Sequence, residues 1–123
     1  MSEPRTADLL FLHSQVAAFL GVPAGVRDVN GLRAVLVAAK AATGQDLYTR
    51  AATLARALYT AHSFVAANTA HAVASAALLL REYDLGLDLP PDELPTLREA
   101  LARGDECALA DWLRAHSAPL PLP

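Results

Sequence analysis

From Asn68 the chain runs through Val73, Ala76, Ala77, Leu79 and Leu80 without a charged residue until Arg81-Glu82. A helix with that sequence is apolar on nearly every face, so other elements must cover most of its sides. That demand points to a fold in which helices gather round it, and the pattern predicts a central, buried helix over about 68–83. Its longest apolar run, Ala72 to Leu80, is interrupted by Ser75 and is far too short to span a bilayer.

The flanking segments carry the same period. Leu9, Leu10, Leu12, Val16, Phe19 and Leu20 recur at helical spacing after a Thr6 cap and Asp8, and Gly21 with Pro23 supplies a stop. His13 lies inside that helix and reads as a partly buried structural histidine, since no other His, Asp or Glu stands at metal-ligand spacing from it. Asp28 or Asn30 can cap a second helix with Leu32, Val35, Leu36 and Ala39 on its apolar stripe, ended by Gly44. Asp46 starts a third, through Leu47, Ala51, Leu54, Ala55 and Leu58 to about Ala61, whose small inward residues allow close packing. After the apolar helix, Gly86 reads as its stop and Pro90-Pro91-Asp92 as punctuation. A short helix then covers roughly Leu94 to Ala102. Gly104 and Asp105 separate it from a last one through Leu109, Trp112 and Leu113. No segment alternates with period two. The fold class is all-α, with about five to seven helices in one domain over 1–117 and a Pro-rich tail at 118–123 that is expected to be mobile. Trp112 reads as core and His116 as a solvated surface residue.

Hydrophobic residues make up 54% and charged residues 19% of the chain, as in globular proteins. The net charge is −3 with Lys40 the only lysine and no basic cluster, which argues against nucleic-acid contact. Cys107 stands alone, so neither a disulfide framework nor a Cys-based zinc site is available. Met1-Ser2-Glu3-Pro4-Arg5 lacks the charged-then-apolar pattern of a signal peptide. A cytoplasmic protein without a membrane segment is the expectation.

Chemistry is concentrated where one helix ends at His62 and the next begins at Asn68. A helix start presents free backbone N–H groups and the positive end of its dipole, and histidine titrates near neutrality. Such a corner suits a held phosphate and a moved proton. On simpler readings His62 is only a partner of the helix dipole and Asn68 only an N-cap. The loop Gly21-Val22-Pro23-Ala24-Gly25-Val26-Arg27-Asp28 is consistent with a plain connection and with a substrate-facing flap; taken alone it favours the connection.

Several of these segments together resemble the Fic/Doc superfamily, in particular its death-on-curing branch. Gly25-Val26-Arg27-Asp28 followed by Leu32 and Ala34-Val35 resembles that branch's loop-and-helix signature, and Asp46-Leu47-Tyr48 with Ala51-Ala52 resembles the segment that leads into its active-site hairpin. The family motif is H-x-F-x-D/E-G/A-N-K/G-R; here it reads His62, Phe64, Ala66, Ala67, Asn68, Thr69 and Ala70. Leu78-Leu79-Leu80 and Trp112-Leu113-Arg114 fall where the branch has similar residues. The order and spacing of these matches, over nearly the whole chain, carry the resemblance.

The resemblance implies a small all-α Fido domain, toxin–antitoxin biology, and transfer of part of a nucleotide to a protein hydroxyl. Most members move AMP; the death-on-curing branch moves a phosphate, with a translation factor as its kind of target. By the same resemblance His62 matches the proton acceptor, Phe64 the residue that fixes the loop, and Ala67 the small residue that lets phosphate approach backbone. Asn68 and Thr69 match the phosphate-holding helix start. Gly25, Arg27 and Asp28 match the flap.

Three positions depart from the pattern. Ala66 stands where the family has the acidic metal ligand, and Thr69 and Ala70 stand where it has its basic pair. Phosphoryl transfer depends mostly on positioning and charge neutralisation. Charge-assisted contacts contribute roughly 1.5–3 kcal/mol each, so their joint loss reaches several powers of ten in rate. His71 is the one nearby side chain that could replace a cation. No metal ligand set remains, so neither ATP nor Mg²⁺ is an expected cofactor. The reading is of a catalytically impaired, partner- or antitoxin-binding scaffold. The alternative is a transferase that keeps ATP and Mg²⁺ through altered phosphate contacts and acts on a protein of the translation machinery.

Overall fold

A computed structural model of the chain describes residues 5–121. The signal-peptide reading at Met1–Arg5 and the last residues of the tail lie largely outside that range. Local chemistry sets most helix boundaries. Asp28, Asp46 and Asp105 each turn a side-chain oxygen to a first-turn backbone N–H, those of Gly31, Thr49 and Ala108, at 3.0, 3.1 and 3.0 Å. They open α2 (Val29–Ala41), α3 (Leu47–Ala61) and α6 (Glu106–Ala115). Each such cap contributes about 1 kcal/mol. At the N-terminal end α1 (Thr6–Leu20) is preceded by Arg5, not Thr6, and Asp8 accepts from the Arg5 backbone N–H at 3.0 Å. Gly21 and Gly104 take the left-handed conformation that closes α1 and α5 (Leu94–Arg103). A 3₁₀ turn at Pro91–Glu93 leads into α5. α2 stops at Ala41 with Ala42 as its C-cap, before Gly44.

The molecule is all-α apart from one small sheet. Its hub, however, is α3 rather than the apolar helix α4 (Asn68–Arg81). α3 packs against α2, α4, α5 and α6, whereas α4 packs against α3, α1 and the sheet. The reason is side-chain size. Ala51, Ala52 and Ala55 are buried beside Leu54 and Leu58, so neighbouring helices can approach α3 from several sides. α4 buries one face, built on His71, Ala72, Ser75, Ala76, Leu79 and Leu80. Its opposite face, with Val73, Ala74, Ala77 and Leu78, is only half-buried.

The sheet has no period-two pattern to announce it, and it pairs residues 117–119 of a tail expected to be mobile. β1 (Leu85–Leu87) pairs antiparallel with β2 (Ser117–Pro119) in the register Leu85↔Pro119, Gly86↔Ala118, Leu87↔Ser117. The Leu120 N–H donates to the Asp84 carbonyl at 2.8 Å. Gly86 therefore does not end α4, which stops at Arg81 with Glu82 as its C-cap. Its bare Cα makes room for the tail, since a Cβ there would lie 2.7 Å from Leu120 Cδ2. Trp112 is buried as expected. His116 is not a free surface residue: it stacks on Trp112 with ring centroids 4.0 Å apart, and its Nδ1 lies 2.8 Å from the Trp112 carbonyl oxygen. Among the described residues, no helix is long and apolar enough to cross a membrane.

Candidate functional site

The segment between α3 and α4 is bounded by two residues in the left-handed region, His62 at φ 45° and Ala67 at φ 62°. Each costs about 1 kcal/mol for a side chain with a Cβ, so surrounding contacts must hold the loop in place. Those contacts come from two sides. The Ser63 carbonyl accepts the Arg27 and Asp28 N–H groups at 2.6 and 3.0 Å, and the Val65 N–H donates to the Gly25 carbonyl at 3.0 Å. Val26 and Phe64 thus face each other in an antiparallel bridge whose hydrogen bonds flank Phe64. The Phe64 N–H and C=O point the other way, toward α4, where the Asn68 side chain takes both. Its Oδ1 accepts the N–H at 3.1 Å and its Nδ2 donates to the carbonyl at 3.0 Å. Asn68 is therefore not the N-cap; Ala67 occupies that position, without a side-chain cap.

The flap candidates Gly25, Arg27 and Asp28 meet the motif directly. Besides the backbone pairing, Arg27 Nη2 donates to the His62 carbonyl at 2.6 Å. Asp28 is occupied as the cap of α2. Gly31, which the sequence reading did not single out, is needed at this junction. A Cβ there would lie 2.7 Å from Asp28 Oδ2 and 2.8 Å from Ser63 Oγ.

His62, Ala67, Asn68 and Thr69 line one open groove of about 800 Å³ between α1, α4 and α5. The His62 ring is exposed and sits edge-on to Tyr59, with centroids 5.1 Å apart. The rest of the lining is mostly apolar, with Phe19 and Leu20 from α1 and Val73, Ala74 and Ala77 from α4. Phe19 is 90% exposed. Arg98 of α5 is the one lining residue with a permanent charge. Neither Phe19 nor Arg98 has a linear signal tying it to the motif. Phe64 is 2% exposed and packs beneath the loop, its ring stacked on His13 at 3.8 Å.

His71 does not supply a replacement cation. It is fully buried on the core side of α4, and burial together with the neighbouring His13 pushes its pKa down to about 4. Among the described residues no carboxylate lines the groove, and Arg98 supplies its one guanidinium. Among the described residues no group of three His, Cys, Asp or Glu could hold a metal ion. Asn68, Thr69 and Ala70 form the first turn of α4, where backbone N–H groups have no intrahelical acceptor. No protein-family model matches the chain, and no curated protein matches it in sequence.

Proposed function

We propose that the chain is a Fic/Doc-like protein of the death-on-curing type that binds a partner instead of transferring a nucleotide group. The partner is an antitoxin-like protein that lays an amphipathic helix in the groove between α1, α4 and α5. One observation carries this reading: the groove beside the motif loop is walled by apolar side chains, Phe19 among them at 90% exposed, and carries no carboxylate. Exposed apolar surface of that kind suits a helix-in-groove contact. The ionisable lining groups are His62 and Arg98, which favours a partner helix with an acidic residue beside its apolar face.

Co-expression with the small proteins encoded beside its gene tests the proposal. A complex should co-purify, and Phe19→Glu or Ala74→Glu should weaken it roughly 100-fold, or about 2.7 kcal/mol, with unchanged circular dichroism. A complex indifferent to both substitutions, or none with any neighbouring product, refutes it.

A second reading, an active transferase with altered phosphate contacts, draws on Arg98. It is a cation at the groove that the linear motif lacks. Calorimetric titration with ATP and Mg²⁺ separates the two. Micromolar, metal-dependent binding abolished by Arg98→Ala, with label transfer lost in His62→Ala, would establish the transferase.

A further inference from the structure

α1 is held to the body by one stripe of buried residues, Leu9, His13 and Ala17. The middle residue of that stripe is a histidine in contact with a second. The His13 and His71 ring centroids lie 5.0 Å apart, edge to face, and both rings pack on Phe64, at 3.8 and 4.8 Å. All four imidazole nitrogens are buried without a hydrogen-bond partner, as is Ser75 Oγ one turn further along α4. A neutral imidazole can remain in such a place; an imidazolium is strongly disfavoured there, because no described residue neutralises it.

We propose that His13 and His71 form an acid-sensitive latch: uptake of a proton by the pair undocks α1 from α4 while the helices around α3 stay folded. This goes beyond the partner reading and does not depend on it. The proton comes from solvent and resides on an imidazole nitrogen that becomes hydrated when α1 moves away.

Among the described residues the surroundings offer no counter-charge. α3 turns Ala51, Leu54, Ala55 and Leu58 inward, while its Arg50 and Arg56 reach Tyr83 and Glu106. α2 turns Leu32 and Val35 inward and keeps Arg33 and Lys40 exposed. From the loops, Arg27 bonds the His62 carbonyl, Asp28 caps α2, and His62 is exposed. On α1 itself Asp8 pairs with Arg5, and on α4 Arg81 is exposed. β1 contributes Leu85, Gly86 and Leu87. Among the described residues each histidine is therefore the other's only titratable neighbour in the cluster, and the two repel when charged.

Burial lowers both pKa values, that of His71 to about 4 against an ordinary 6.5. The undocked state binds protons more readily, so docking is strongest above pH 6.5 and weakens as the pH falls toward 4. His71 alone raises the undocking equilibrium roughly 30-fold between pH 7.5 and pH 5. Because Phe19 and Leu20 of α1 wall the groove, undocking also dismantles it.

Hydrogen exchange on the full chain at pH 7.5 and pH 5.0, corrected for intrinsic rates, tests this. The α1 amides should lose roughly 30-fold in protection while those of α3 and α6 hold theirs. Unchanged α1 protection, or an equal loss in every helix, would overturn it. In His13→Phe and His71→Leu the pH sensitivity of α1 should shrink or vanish; full retention in both would also overturn it. Should either variant fail to fold, NMR titration of the wild-type imidazoles decides. The His71 ring should titrate near 4 and the His13 ring below its ordinary 6.5 as long as α1 is docked, and titration of either at 6.5 or above in the docked state refutes the latch.

Discussion

Asn68 offers the sharpest test of how the motif loop is built. Its two hydrogen bonds go to the backbone of Phe64, a residue only 2% exposed, because the flap pairing leaves the Phe64 N–H and C=O facing α4. Asn68→Ala strands both groups. A buried polar group left unpaired costs about 1–3 kcal/mol, and a carbonyl tolerates neglect better than an N–H, so a loss of roughly 2–4 kcal/mol is expected. Asn68→Asp is more discriminating. If Asn68 only decorated the start of α4, a carboxylate there would be neutral or stabilising by about 0.3–1 kcal/mol through the helix dipole. In the observed geometry a carboxylate can still accept the Phe64 N–H. It cannot donate to the Phe64 carbonyl, which it repels instead, so Asn68→Asp should destabilise by about 1–3 kcal/mol. Urea unfolding followed by fluorescence reads this directly, since Trp112 is the only tryptophan and is buried. The midpoint should fall with unchanged slope. An Asn68→Asp variant as stable as the parent would refute the bridging role and restore Asn68 to a helix-start residue.

Ala67 sits at φ 62° as the N-cap of α4, so Ala67→Gly should stabilise by about 1 kcal/mol, seen as a higher urea midpoint; a loss would mean its methyl has packing value. Gly31→Ala should destabilise by about 1–2 kcal/mol despite alanine's better helix propensity, because the new Cβ collides with Asp28 Oδ2 and Ser63 Oγ; the partner variant Ser63→Gly should recover part of the loss. Ala66→Asp, Thr69→Lys and Ala70→Arg together should create salt-sensitive, metal-dependent ATP binding by calorimetry, with a gain larger than the single changes predict, because the three groups grip the same phosphates. A folded triple variant indifferent to ATP would reduce the Fic/Doc likeness to one of fold.

What could be read from the chain is what depends on nearest neighbours. An aspartate ahead of a helical stripe is a cap wherever the helix packs, so Asp28, Asp46 and Asp105 were legible, as were the stops at Gly21 and Gly104. What covers a helix is not local. The all-round apolar character of α4 suggested a central position, yet one of its faces walls a groove. The alanines that make α3 the hub look unremarkable in one dimension. Gly86 looks like a helix stop because a glycine after a helix commonly is one, while its role in the fold is to clear space for Leu120, far along the chain. The strands were invisible because three residues are too short to show a period and Pro119 argues against a strand interior. Of the site, His62, Ala67, Asn68 and Thr69 do converge on one groove. The contributions of Phe19 and Arg98 depend on packing between helices distant in sequence.

The structure also separates the motif positions by the kind of work they do. Phe64 fills the space under the loop, Asn68 holds the Phe64 backbone, and Ala67 makes the left-handed entry to α4 with a side chain small enough to bear it. These residues match the family pattern, and each is required by the local fold whether or not a phosphate ever binds. Ala66, Thr69 and Ala70 depart from the pattern, and among the described residues none of them makes a side-chain hydrogen bond to the loop. Under the proposed function, a scaffold relieved of phosphate chemistry would keep the first set, because losing any member costs stability, and would be free to lose the second. His62 falls between the two. Its backbone ends α3 and accepts from Arg27, so the position is anchored by its main chain, while its exposed ring makes only an edge contact with Tyr59. Among the positions that match the pattern, the ring is therefore the side chain whose presence the fold does not explain, and it lines the groove in which the proposed partner lies.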